Sequence, residues 1–252
     1  MTLPQRTRIE KTTNLKLWKQ IVFFVTGLIG LTLVSIIVQL IVQLAARRTM
    51  PSDYDYYTFM NSTTVGMIVN GSTYLVIAVI FLILMKDDTN EFFKSFKDWK
   101  PYVAAAIGFS AILTFNLFYN TILSLTGAVI SDNANESSLN SITSDFPFLS
   151  LLIFGLIGPV VEELTYRVGL FSLLKRVHIS LAYIVTIIVF TLIHFDFEST
   201  NMANELLNIP FYAFAAATFC FLYHRFGLAS SISAHVTNNL LSIGAAIIAS
   251  FK

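Results

Sequence analysis

The stretch Gly158-Pro159-Val160-Val161-Glu162-Glu163-Leu164-Thr165-Tyr166-Arg167 places two adjacent carboxylates and a guanidinium in otherwise apolar surroundings. A charged side chain at the centre of a membrane helix costs about 2.5–3.5 kcal/mol on insertion scales, so such residues need a partner, water or a task. On a helix Glu163 and Arg167 are four apart and can pair. Glu162 then points ~100° away around the axis, so one carboxylate is neutralised and the other stays available. Pro159 frees a backbone carbonyl and can kink the helix just before the pair. Further on, Phe190-Thr191-Leu192-Ile193-His194 closes an apolar run, and His235-Val236-Thr237-Asn238-Asn239 puts an imidazole and a carboxamide on one helix face. Taken singly, each signal has a plain reading. The charged trio can sit at a cytoplasmic interface, His194 can be a satisfied interior histidine, and His235 and Asn239 can join neighbouring helices by hydrogen bonds.

Taken together they form a chemical inventory. A glutamate can deprotonate water, and histidine can orient that water or relay the proton. An imidazole N–H and an amide N–H can stabilise a tetrahedral oxyanion. That set suits hydrolysis of a peptide bond inside a membrane. It equally suits a zinc site with Glu162, His194 and His235 as ligands. No His-Glu-x-x-His motif is present, so these residues alone leave both chemistries open.

The elements that must position these groups are membrane helices. Of 252 residues 55% are hydrophobic and only 12% charged, about half the charge of a soluble domain. Mean hydropathy is +0.70. A soluble globule could not hide this much apolar surface, so an all-α polytopic membrane protein is expected, as a single membrane domain over 1–252. A net charge of +1 without a basic face excludes a nucleic-acid binder, and Cys220, the single cysteine, excludes a disulfide scaffold. About seven spans are predicted, within a range of six to eight: Ile21–Leu44, Thr64–Met85, Tyr102–Thr126, Phe148–Leu174, Ser180–Phe195, Ile209–His224 and Leu228–Phe251. The fifth and sixth are short for full crossings.

Threading the chain with a cytoplasmic N-terminus gives twelve cations on that side, among them Arg6, Arg8, Lys11, Lys16 and Lys19 in the basic 1–20 segment. Only Arg47, Arg48 and Lys252 fall outside, a strong positive-inside bias. Asp196, Glu198 and Glu205 are then read as outer loop. Phe92, Phe93, Phe96 and Trp99, with lysines between them, predict a short interfacial helix within Asn90–Lys100. His178 and His224 are expected at cytoplasmic interfaces. Asn116 and Asn120 share a face of the third span, for helix contacts or for lining a cavity. In a straight threading His194 lies near the outer end of its span and His235 nearer the inner end of its own. Straight helices of 16 and 24 residues cannot bring them level.

In order, Glu162-Glu163-x-x-x-Arg167, Phe190-x-x-x-His194 and His235-x-x-x-Asn239 resemble the motifs of the CAAX protease and bacteriocin-processing family (CPBP, or Abi) of intramembrane proteases. The type II CAAX prenyl endopeptidases are its eukaryotic relatives. The resemblance covers Phe148–Phe251, the expected catalytic core. It implies a conical cavity inside the membrane, Glu162 and His194 activating water, and His235 with Asn239 as the oxyanion site. Glu163 and Arg167 then support them. The family was long labelled metalloprotease. The glutamate mechanism without a cofactor is favoured, because the set contains both a base and an oxyanion hole, and zinc is kept as an alternative.

The expected function is therefore an intramembrane endopeptidase acting on a membrane-associated peptide or protein near the cytoplasmic half of the bilayer. A bacterial plasma membrane fits best, with peptide pheromone or bacteriocin maturation or immunity as the setting. Prenylated CAAX proteins are a eukaryotic feature, so they are not the expected substrates. The alternative is a non-catalytic membrane scaffold or immunity partner that keeps the protease fold. A proton-coupled transporter ranks last, because no internal repeat is seen. Substrate and oligomeric state are not legible in the sequence.

Overall fold

The computed structural model describes residues 15–50 and 52–251. The cations Arg6, Arg8 and Lys11, on which much of the basic N-terminal segment rests, lie outside the described residues, as does Lys252.

Ten helices and no strand are found among the described residues. Six are long and apolar enough to cross a membrane: α1 Leu17–Thr49, α3 Thr63–Leu84, α5 Lys100–Leu125, α7 Pro147–Lys175, α9 Met202–Phe226 and α10 Leu228–Ser250. Between them lie α2 Asp53–Met60, α4 Thr89–Ser95, α6 Ala134–Asp145 and α8 Ile179–Leu192. The all-α polytopic expectation holds. The fifth expected span, Ser180–Phe195, becomes the 14-residue α8, too short to cross a ~30 Å core at 1.5 Å per residue. The sixth, expected from Ile209, starts seven residues earlier and runs through Pro210.

The reason for the early start is local. Asn201 caps the helix by accepting from the Asn204 N–H, and Glu205 follows in the first turn. Glu205, read above as loop, is thus helical and buried. Similar side-chain caps begin α3 at Ser62 and α6 at Asn133. Between α9 and α10 the chain turns on Gly227 alone, with φ +89°, a backbone that favours glycine.

α7 is the central helix: 61% of its apolar window is buried, against 11–33% in the other five. It is also irregular. Ile153–Ile157 and Leu164–Phe171 are wound as π-helix, flanking the α-helical turn Gly158–Glu163 that carries the carboxylate pair. Such wide turns re-aim side chains and frequently mark functional sites.

α1 lies tightly along α7. A Cβ on Gly169 would come within 2.8 Å of the Phe24 nitrogen, and one on Gly27 within 1.9 Å of Thr165 Oγ1. Phe23, Ile77, Phe81, Val161, Leu164, Phe171 and Ile232 fill the core between α1, α3, α7 and α10. At one end of the bundle Lys19 pairs with Asp88, and the Arg176 Nε donates to Gln20 Oε1 at 2.8 Å. α4 and the turn that follows it pack Phe92 and Phe96 inward there and leave Phe93 and Trp99 exposed. At the same end, the His178 Nδ1 accepts from the Ser180 N–H to cap α8, and His224 Nδ1 lies 3.1 Å from the Tyr183 hydroxyl.

Candidate active site

The two glutamates of α7 have different surroundings, as their ~100° separation requires. Glu163 and Arg167 are fully buried, with Arg167 Nη1 3.0 Å from Glu163 Oε1. The guanidinium lies 4.6 Å from the ring centre of Phe190 and 5.4 Å from that of Phe219. It is therefore held on aromatic faces as well as by its anion. Glu162 instead lines a cavity of about 640 Å³ inside the bundle.

His235, about two turns into α10, faces both carboxylates. Its Nδ1 is 2.9 Å from Glu163 Oε1 and its Nε2 is 3.7 Å from Glu162 Oε2. An ionised carboxylate only accepts, so His235 Nδ1 carries a proton and donates it to Glu163. Phe219 stacks on the ring at 4.5 Å between centres and 19° between planes. The imidazole is thus fixed on one edge and one face, with Nε2 directed toward Glu162.

His194 follows the last turn of α8. Its Nδ1 lies 2.8 Å from the Phe190 carbonyl, to which it donates, leaving Nε2 as an acceptor. Tyr212 stacks on the ring at 4.6 Å. Asn239 lines the same cavity and donates through Nδ2 to the Phe154 carbonyl at 3.1 Å, within the first π-helical segment of α7. His194 and His235 nevertheless line the same cavity: α8 ends at Leu192, and His194 follows in the turn after it.

Glu162, His194, His235 and Asn239 therefore all line one cavity, with Glu163 and Arg167 behind it. Glu162 is the sixteenth of the 29 residues of α7, so it sits at the middle of that helix's length. Among the described residues no group of three or more His, Cys, Asp or Glu side chains is placed to hold a metal ion.

The structure adds residues that the motifs did not contain. The Tyr74 hydroxyl, on α3, donates to Glu162 Oε1 at 2.9 Å. Asn116 and Asn120 line the cavity, the second of the two roles left open for them. Asn133 Nδ2 donates to the His194 carbonyl at 2.9 Å, while its Oδ1 accepts from the Glu136 N–H and from the Tyr212 hydroxyl. Buried Glu205 accepts from the backbone N–H groups of Ala134 and Asp196, at 2.9 and 3.2 Å. This network ties the His194 turn to the start of α6. Its sequence signal was the Asn201-x-x-Asn204-Glu205 helix start.

Residues 144–241 match the family model described as type II CAAX prenyl endopeptidase, Rce1-like. The match bears out the family resemblance over this segment and indicates a protease. It contains Glu162, Glu163, Arg167, His194, His235 and Asn239, and leaves Tyr74 outside. With the six crossing-length helices, it makes this a membrane protein. No curated protein and no solved structure matches the chain.

Proposed function

We propose, from the premise that residues 144–241 carry a type II CAAX prenyl endopeptidase match, that this chain is an intramembrane endopeptidase. It hydrolyses a peptide bond of a membrane-associated peptide or protein. The observation that carries the reading is the convergence of Glu162, His194, His235 and Asn239 on one cavity. A cavity of about 640 Å³ is of ligand-pocket size and has room for an extended peptide segment.

A water held between Glu162 and the free Nε2 of His194 gives its proton to Glu162, and the oxygen attacks the scissile carbonyl. The electron pair moves onto the carbonyl oxygen. The N–H of Asn239 not used on Phe154 and the Nε2–H of His235 receive that oxyanion. Because Nδ1 already donates to Glu163, an Nε2 donor exists only in the doubly protonated ring. On collapse the C–N bond breaks, and Glu162 passes its proton to the leaving nitrogen. No metal ion takes part in this reading.

The whole of 1–252 is read as one membrane domain in a bacterial plasma membrane, with a cytoplasmic N-terminus and 148–251 as the catalytic core. Maturation of a short secreted peptide, or immunity to one, is the setting that fits.

The test compares membrane and secreted peptides by mass spectrometry in cells carrying wild type or Glu162→Gln at matched expression. A peptide released only with wild type supports the reading. Identical peptide profiles with an intact cellular phenotype overturn it in favour of a scaffold.

A further inference from the structure

The geometry points to Tyr74 as a positioning residue for Glu162, one that fixes Oε1 and so selects Oε2 as the oxygen that takes the proton from water. This rests on the base role proposed for Glu162. A carboxylate in a cavity has two equivalent oxygens and a soft terminal torsion, so its base oxygen is undefined unless something breaks the symmetry. Here the symmetry is broken from both sides. Oε1 accepts from the Tyr74 hydroxyl at 2.9 Å, and Oε2 faces His235 Nε2 at 3.7 Å.

The hydroxyl is itself held in place. The Tyr74 ring packs against two core clusters, one around Phe81 and Val161 and the other around Phe154 and Ile243. It meets Phe154 edge to face at 6.3 Å. α3 thus braces the base from a helix that lies outside the matched segment 144–241. An O–H donated to an ionised carboxylate is among the stronger neutral-donor bonds, and it also occupies a lone pair that would otherwise bind water. The water that gives its proton to Glu162 is thereby steered to the Oε2 side, leaving His235 Nε2 beside that oxygen for the oxyanion. Precise support of this kind from residues behind the reacting group is what sets turnover.

The variant is Tyr74→Phe, which keeps the ring and its packing. The first readout needs no substrate: infrared difference spectra of the purified protein in lipid nanodiscs. The carboxylate stretch assigned to Glu162 is the one missing from Glu162→Gln. It is expected to move in Tyr74→Phe while the backbone amide bands stay in place. The second readout is turnover of the peptide whose release depends on Glu162. Here kcat is expected to fall about tenfold with KM unchanged, the pattern of a lost transition-state arrangement rather than lost binding. An unmoved carboxylate band, or an unchanged kcat, overturns the assignment. The two failures are distinct. Retained cleavage by Glu162→Gln removes the protease reading itself. Loss in Glu162→Gln with an indifferent Tyr74→Phe removes only the role of Tyr74.

Discussion

His235 Nδ1 and Arg167 Nη1 approach the same oxygen of Glu163, at 2.9 and 3.0 Å. Glu163 is therefore not merely the partner of the i,i+4 arginine. It is the anchor that joins α7 to α10 through an imidazole, and Arg167 is the charge that makes such an anchor tolerable in a buried place. The second edge of that imidazole then falls to Glu162. Glu163 thus holds Arg167 and His235, while its neighbour Glu162 faces the cavity.

Glu163→Ala is expected to damage both stability and activity, for separable reasons. It strands a fully buried guanidinium, at a cost of about 3–5 kcal/mol. It also frees His235 to rotate. Replacing both partners with apolar residues, Glu163→Leu with Arg167→Met, removes the stranded charge. Thermal unfolding of the double variant should recover toward wild type while peptide release stays absent. Recovery of release along with stability would show that His235 needs no anchor.

The Asn133 and Glu205 network should act through His194. Asn133→Ala removes the donor to the His194 carbonyl and the cap of α6 at once. Loss of such a cap costs about 1 kcal/mol. Glu205→Ala leaves the N–H groups of Ala134 and Asp196 without their acceptor. Both variants should lower kcat without abolishing it, and Glu205→Ala should also speed hydrogen exchange at Ala134 and Asp196. Exchange unchanged at both amides would contradict the network.

Glu136 supplies a pH prediction. Burial, and then the nearby Asp132, raise its carboxyl above the usual carboxylate range. The folded protein thus holds this proton more tightly than the unfolded chain does. The resulting stability is present in acid and is lost as pH rises through the raised value. Glu136→Gln removes the ionisation, so it should unfold at a higher temperature than wild type at neutral pH. The gap should close in acid. A gap that is constant with pH would assign the effect to something other than charge.

Much of this arrangement was legible in the sequence, because membrane insertion penalises polar groups and so makes them conspicuous. Glu162, Glu163, Arg167, His194, His235 and Asn239 stood out by being costly where they were. Tyr74 did not, since a tyrosine in an apolar helix is an ordinary packing residue until its hydroxyl is seen on Glu162. Hydropathy misplaces Glu205 because it ends a span where polar residues begin, whereas the helix begins at its cap. Composition reports apolarity and so makes α8 look like a crossing, whereas His194 depends on the turn that ends that helix early.

The contact of α1 with α7 gives the last prediction, one that reaches the site without touching it. At Gly169 a Cβ would lie 2.8 Å from the nitrogen and 2.9 Å from the Cα of Phe24. These are backbone atoms, so no rotamer change relieves the clash and the two helices must part. Close approach through small residues is how membrane helices gain contact when lipid offers no hydrophobic drive. Gly169→Ala should cost about 1–3 kcal/mol, the range for overpacking a tight contact. It should also lower activity, because α7 carries Glu162 seven residues before Gly169, two turns away on the same helix. Gly244 is the internal control: nothing lies within 4 Å of a Cβ built there. In the helix interior Gly244→Ala should be neutral or stabilising by up to ~1 kcal/mol. Thermal unfolding of both variants in the same detergent, with peptide release measured alongside, decides the matter. Equal shifts for the two would mean that the approach of α1 to α7 carries no particular weight.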